Sequence, residues 1–476
     1  MKFQPWIRVW ENRRYHPFSS DRPERFPAAT MSKNIDTSSN YASNVRSLYE
    51  EYPFPLRDPR DEARRLVIAE QESIGKLNHF CFRGQQAFGN GFRVLVAGGG
   101  TGDHTIFLAE QLRNYDASVT YIDISRTSMD IARERAQIRN LSNIEWHHCS
   151  ILDVASLGLA PFDLISCTGV LHHLPEPERG LAALRGILTP DGAMSLMLYG
   201  RVGRLAVYAG QELMRLVNDG VEDRRSKTQH ALSVVQSLPE TNWLLRGGGP
   251  NRVLNEFLDD ESNLNDVLLH EQDRAYSVLE IYEFLAGAQL DLVAFTSFHS
   301  DPPSFRCMYD PMVWITDPAL RSHVSSLPRP RQQAIAEAMS CMITCHGFYA
   351  APAGADRIAS PDDLEMVPFF LYFDHTNLAQ HFRAAAGRPC GLNYRKSAVQ
   401  FEVGKYSADL VAGIDGARSL GELFDMVDRN SGGSVSHSEL RRDFMAFYEP
   451  LNGLDILLLR HRSIPPFPEF PFESVS

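Results

Sequence analysis

Three glycines at alternate positions, Gly98, Gly100 and Gly102, follow the apolar run Val94-Leu95-Val96-Ala97. A hydrophobic strand that ends in such a turn and opens a helix lets a ligand approach the backbone closely, because glycine makes the tight turn and adds no side chain. The next apolar run, VTYIDIS, sets Asp123 at a strand's carboxyl end. A carboxylate in that place accepts hydrogen bonds from ribose hydroxyls. Alone, the first feature is an ordinary β–α loop and the second a helix cap; together they point to a nucleoside pocket.

The turn spacing selects among nucleosides. Binding a pyrophosphate takes Gly-x-Gly-x-x-Gly, which seats the phosphates on a helix N-terminus. Here Asp103 follows Gly102 directly, and a carboxylate at a helix start repels a pyrophosphate. A nucleoside whose linker carries no phosphate, such as S-adenosylmethionine (SAM), suits the spacing. The elements that position these residues alternate. FRVLVAGGG, SVTYIDIS, IEWHHCSI, FDLISCTGVL and GAMSLMLYG read as strands, with helices such as GDHTIFLAEQLRNY, RTSMDIARERAQIRNL and EPERGLAALRGIL between them. That rhythm predicts βαβ units and a parallel sheet.

With these residues in place, the chain resembles the class I SAM-dependent methyltransferases, well over about 45–200 and loosely over 270–300. VLVAGGGTG is similar to the family's first motif, IEWHHCSILDV to its third, FDLISCTGVLHHLPEPERGL to its fourth-strand motif and TPDGAMSLMLYG to its fifth-strand turn. The resemblance implies a Rossmann-like three-layer αβα core with SAM as cofactor. It implies cofactor contacts from Gly98, Gly100, Gly102, Asp123, Ile124, Ser150, Ile151 and Thr168. Two carboxylates common in the family are replaced, by Val96 and Ser150. The segment Tyr49-Glu50-Glu51-Tyr52-Pro53-Phe54-Pro55 is similar to a YEExPYP segment of one bacterial branch, where it forms a lid; this adds Tyr52 to the cofactor contacts.

Methyl transfer from a sulfonium is an in-line displacement, so the protein chiefly aligns the acceptor, and a base is needed only for a protonated acceptor. His172 and His173 follow the fourth strand and are the candidate catalytic residues, since imidazole titrates near neutrality. Tyr199, Arg201, Arg204 and Tyr208 leave the fifth strand toward the acceptor side, and His270 is a second candidate base. The HHLPEP text resembles small-molecule enzymes, so a small-molecule acceptor methylated on oxygen or nitrogen is expected. Cys345-His346-Gly347-Phe348-Tyr349 is loosely similar to protein lysine methyltransferases, which leaves a protein acceptor as the alternative. A non-catalytic SAM- or S-adenosylhomocysteine-binding regulator is the third reading, favoured by Val96 and Ser150.

Two motifs point elsewhere. Asp301-Pro302-Pro303-Ser304-Phe305 imitates a base-methylating motif but stands far from the fourth strand. Asp428–Glu439 has EF-hand spacing, but Gly432 occupies a ligand position, and a Gly/Ser loop between helices explains the same letters. Cys341, Cys345 and His346 match no usual zinc spacing, and no metal is expected.

The text reads as helical over about 60–80 and over 330–349, and residues 203–270 read as a helical insertion. The expected organisation is a poorly ordered leader (1–40), a methyltransferase domain (41–305) and a C-terminal α+β module (306–476) with a winged-helix-like part at about 398–460, where the text over 415–460 reads helix, helix, strand. A net charge of −12 argues against a nucleic-acid partner. No apolar run is long enough for a membrane span. Seven scattered cysteines without a CxxC pair, and no secretory signal core, give a cytoplasmic expectation. Oligomeric state is not readable from the sequence.

Overall fold

Apolar runs separated by amphipathic helices build the centre of the chain. In the computed structural model the described residues are 45–245, 261–270, 273–298, 305–354, 356–385, 388–394, 397–468 and 470. The expected leader, Asp301–Ser304 and part of the insertion lie outside them. After α1 (Ile74–Cys81) come β1 (Phe92–Ala97), α2 (Asp103–Leu112), β2 (Ala117–Asp123), α3 (Arg126–Ile138), β3 (Ile144–His148), β4 (Phe162–Thr168), α4 (Pro177–Gly186) and β5 (Leu188–Tyr199). The insertion holds α5 (Leu205–Val217), α6 (Arg224–Ser237) and α7 (Glu261–Leu268); α8 (Val278–Gly287) and β6 (Leu290–Thr296) follow.

The sheet has seven strands in the order β3-β2-β1-β4-β5-β7-β6, where β7 is Cys345–Pro352. The first five are parallel, and β7 runs antiparallel to both of its neighbours. Helices cover both faces, which is why β1, β4 and β5 read as almost unbroken apolar text. The strand order reverses between β1 and β4, so their carboxyl ends open the crevice where ligands bind in such sheets. This is the Rossmann-like αβα fold with a helical insertion.

Two expected helices differ. The text over 60–80 gives an α-helix only at α1; Pro59–Ala63 and Glu70–Glu72 are 3₁₀ turns. Gln71 and Glu72 turn inward instead: Gln71 Nε2 donates to the Leu196 carbonyl at 2.8 Å, and Tyr349 Oη donates to the Gln71 carbonyl at 2.6 Å. The text over 330–349 gives a helix only to Ser340. Cys341 adopts φ +51°, which stops the helix, and 345–352 becomes β7. The sheet therefore takes a central strand from beyond residue 305, the boundary expected for the core.

The remaining elements are α9 (Pro318–Ser325), α10 (Arg329–Ser340), β8 (Met366–Phe370), α11 (Leu378–Ala385), β9 (Cys390–Tyr394), β10 (Ser397–Phe401), α12 (Ser407–Gly413), α13 (Leu420–Asn430), α14 (His437–Gly453) and β11 (Leu457–His461). The helix-helix-strand order expected over 415–460 is present, but β11 pairs with β8, which precedes both helices, in an antiparallel ladder. One apolar cluster runs from Ile165, Leu196 and Phe348 in the sheet to Leu420, Phe444 and Leu459. In the EF-hand-like stretch Asp428 Oδ1 accepts the Val435 N–H at 2.8 Å, and Ser436 caps α14.

Candidate active site

The glycine turn is built for close packing. Gly98 has φ +77°, and a Cβ there would lie 2.4 Å from Val170 Cγ2, just after β4. A Cβ on Gly100 would lie 2.9 Å from the Phe54 carbonyl oxygen. The turn is thus a bare-backbone cradle between the ends of β1 and β4, with 49–55 laid across it. Thr101 Oγ1 donates to the Pro55 carbonyl at 2.7 Å, and Tyr121 Oη donates to the Gly100 carbonyl at 2.8 Å.

Asp123 stands beside this cradle, half-buried. Its Oδ2 accepts the Gly100 N–H and its Oδ1 the Ser125 N–H, both at 2.8 Å. Burial pushes its carboxyl above the ordinary range, against the lowering effect of these backbone donors. The backbone of Gly100, Ser125 and Ile124 takes three of a carboxylate's roughly four lone-pair positions, which leaves one for a ribose hydroxyl. The cradle and the acid fit a nucleoside that turns a hydroxyl toward Asp123. Asp103, expected to repel phosphate, is compensated: Arg57 Nη2 approaches it at 2.6 Å and Arg135 Nη1 at 2.7 Å. Burial opposes its ionisation, but these guanidiniums hold it down at about 2.

Gly102 has φ +104° and closes the turn as the N-cap of α2. Ile124 follows Asp123, and its carbonyl lies 2.9 Å from His148 Nε2. Ser150 accepts the Leu152 N–H and caps a 3₁₀ turn, and Ile151 is buried in the main core. Thr168 ends β4, with Oγ1 3.4 Å from Glu72. Tyr52 turns to the insertion, where its phenol bonds Thr228; burial raises that phenol's pKa. Glu50 anchors the covering segment by accepting the Arg126 and Thr127 N–H groups at the start of α3. Burial works against its charge, yet these bonds bring its carboxyl down to about 2.

Glu72 is the residue that sequence reasoning missed. Its carboxylate is fully buried and accepts from Ser166 Oγ at 2.9 Å and Ser195 Oγ at 3.0 Å, while His104 Nδ1 lies 2.7 Å away. Ser166 pairs in register with Val96. A carboxylate from outside the sheet therefore lies one strand from the place where the family commonly carries an acid. Burial raises both the cost of its charge and that of His104, but the pairing wins: Glu72 is lowered and His104 raised. The clue in the sequence is a charged residue in a stretch too poor in period for a surface helix.

A second polar cluster lies beyond the end of β4. His172 and His173 occupy a buried 3₁₀ turn, their Nε2 atoms 3.1 Å apart. His172 stacks on Tyr199 at 3.9 Å, and His173 stacks on His270 at 4.0 Å. Arg204 lies over the Tyr199 ring at 3.6 Å. Asp266, from α7, accepts from Tyr49 Oη at 3.0 Å and Tyr199 Oη at 3.1 Å. The structure thus joins His172, His173, Tyr199, Arg204 and His270. Arg201 points outward to Glu280 at 2.6 Å. Burial, then the Arg204 charge, holds His172 well below its ordinary pKa, which makes it a weak proton acceptor. A cavity of about 260 Å³ opens alongside, lined by Leu48, Glu51, Arg224, Lys227, Asn265 and His270.

Comparison with known proteins points to the same fold and to methyltransferase domains. The methyltransferase domain family matches residues 95–194. An uncharacterised protein of Synechococcus sp. is 30% identical over 307 residues, 64% of this chain and 70% of that protein. The tRNA 5-carboxymethoxyuridine methyltransferase of Escherichia coli K12 is 30% identical over 181 residues, 37% of this chain and 68% of that enzyme. The structure of PKMT2 from Rickettsia typhi with AdoHcy shares the fold over 83% of this chain and 76% of that one, with a TM-score of 0.56 and 14% identity.

Proposed function

The chain belongs to the class I SAM-dependent methyltransferases, and on that premise we propose that it methylates a small molecule on an oxygen or nitrogen atom. The observation that carries this reading is the cavity of about 260 Å³ beside the histidine cluster, between residues 45–51 and the helical insertion. Such a space suits a small ligand. Arg224 and Lys227 line it and suit an acceptor bearing an anionic group, although Arg224 also pairs with Glu51 at 3.2 Å.

SAM supplies the electrophilic methyl group. The chain's own contribution is alignment. In this reading Gly98, Gly100 and Gly102 provide the cradle and Asp123 holds the ribose. Ile124, Ser150, Ile151 and Thr168 border the adenosine, and Glu72 sets the polar floor. The buried position of His172 and His173 beside the cavity supports an orienting role at the acceptor.

A tRNA acceptor is the second reading, favoured by the likeness to the Escherichia coli enzyme. Incubation with methyl-labelled SAM and a lysate, followed by fractionation, separates the readings. Label among small molecules supports the first. Label in RNA replaces it with the second, and label in protein overturns both. Asp123→Ala is the control and abolishes transfer in every case.

A further inference from the structure

His173, Asp266 and His270 are all buried, and one ligating atom of each lies within 4.8 Å of the others. Among the described residues no other set of three His, Cys, Asp or Glu side chains meets this condition. The three come from separate places: the turn after β4, helix α7 and the return from the insertion. We propose that they bind a divalent transition-metal ion, with zinc the best match, and that its remaining coordination position takes an oxygen of the methyl acceptor.

Three features carry this. The donor set is two imidazoles and one carboxylate, which favours zinc or a neighbouring transition ion over magnesium. The carboxylate is already oriented, because Tyr49 donates to Oδ1 and Tyr199 to Oδ2. Outer hydrogen bonds of this kind fix a ligand carboxylate and are part of a working metal site. Finally, His270 lines the cavity, so one member of the buried set borders open space. Three protein ligands plus an open position is the arrangement of catalytic zinc sites, where the ion polarises a bound oxygen. Sequence spacing hides the set, since His173 lies far along the chain from Asp266.

The acceptor clause rests on the proposed small-molecule function; the metal site does not. The test is therefore made without acceptor. Chelator-treated full-length protein is titrated with zinc chloride by calorimetry, and SAM binding of each variant is measured in parallel. The expected result is one zinc per chain, weakened roughly 100-fold or more by His270→Gln and by Asp266→Asn, while both variants still bind SAM. No saturable heat up to about 1 mM zinc overturns the proposal, as does binding that both variants leave unchanged. Should the variants lose SAM binding, wild-type protein loaded with cobalt(II) decides. Intense visible absorption of a four- or five-coordinate ion supports the site, and the weak spectrum of a six-coordinate solvated ion overturns it.

Discussion

Glu72 reaches Ser166 and Thr168 on β4, Ser195 on β5 and His104 on α2. Removing its charge leaves part-buried His104 without its counter-ion, so Glu72→Gln is expected to cost about 1–3 kcal/mol in urea unfolding. It is also expected to weaken SAM binding about tenfold by calorimetry. The pair also gives a pH dependence. The folded pKa of His104 is raised above 6.5, so its stabilisation is complete below 6.5 and fades as pH rises through the folded value. That of Glu72 is lowered below 4.5, so its stabilisation is complete above 4.5 and fades as pH falls through the folded value. His104→Gln is therefore expected to lower the urea midpoint more at about pH 6 than at about pH 9. The glycines and Asp123 were legible because a local rule links them. Glu72 and Asp266 were not, because their partners lie far away in sequence and only the fold brings them together.

At the scale of elements, the 49–55 segment, the glycine turn and α3 form one assembly. Glu50 caps α3, Thr101 holds Pro55, and Gly100 leaves room for Phe54. Gly100→Ala must displace Phe54 and adopt φ +51°, a conformation costing about 1–3 kcal/mol for a residue with a side chain. SAM affinity is expected to fall about tenfold or more by calorimetry, while the far-UV spectrum of the fold persists. The parallel strands were readable because both faces are buried, so their text is continuously apolar. β7 was not: PRQQAIAEAMSCMITCHGFY keeps a helical composition past Ser340, and the left-handed Cys341 that separates helix from strand carries no composition signal.

Across the whole molecule, residues 455–470 are fastened to the core. Asp455 is buried against Lys76 at 3.2 Å and Arg306 at 2.9 Å, and it accepts from Thr296 and the Ser297 N–H. Phe467 packs on Phe88 and Phe470 on Phe107. Asp455→Asn strips buried Lys76 and part-buried Arg306 of their charge partner, and a loss of about 3–5 kcal/mol is expected in urea unfolding. Among the described residues no helix is long and apolar enough to cross a membrane.

The place of β7 between β5 and β6 also matters while the chain is being made. The edge of β5 is synthesised by residue 199, but its neighbour is complete only at residue 352. At typical elongation rates the nascent protein waits roughly ten seconds or more with a buried-type strand edge uncovered. An uncovered apolar edge is a template for pairing with other chains. Ribosome pausing or truncation between residues 200 and 345 is thus expected to leave bare an edge that β7 covers in the finished fold.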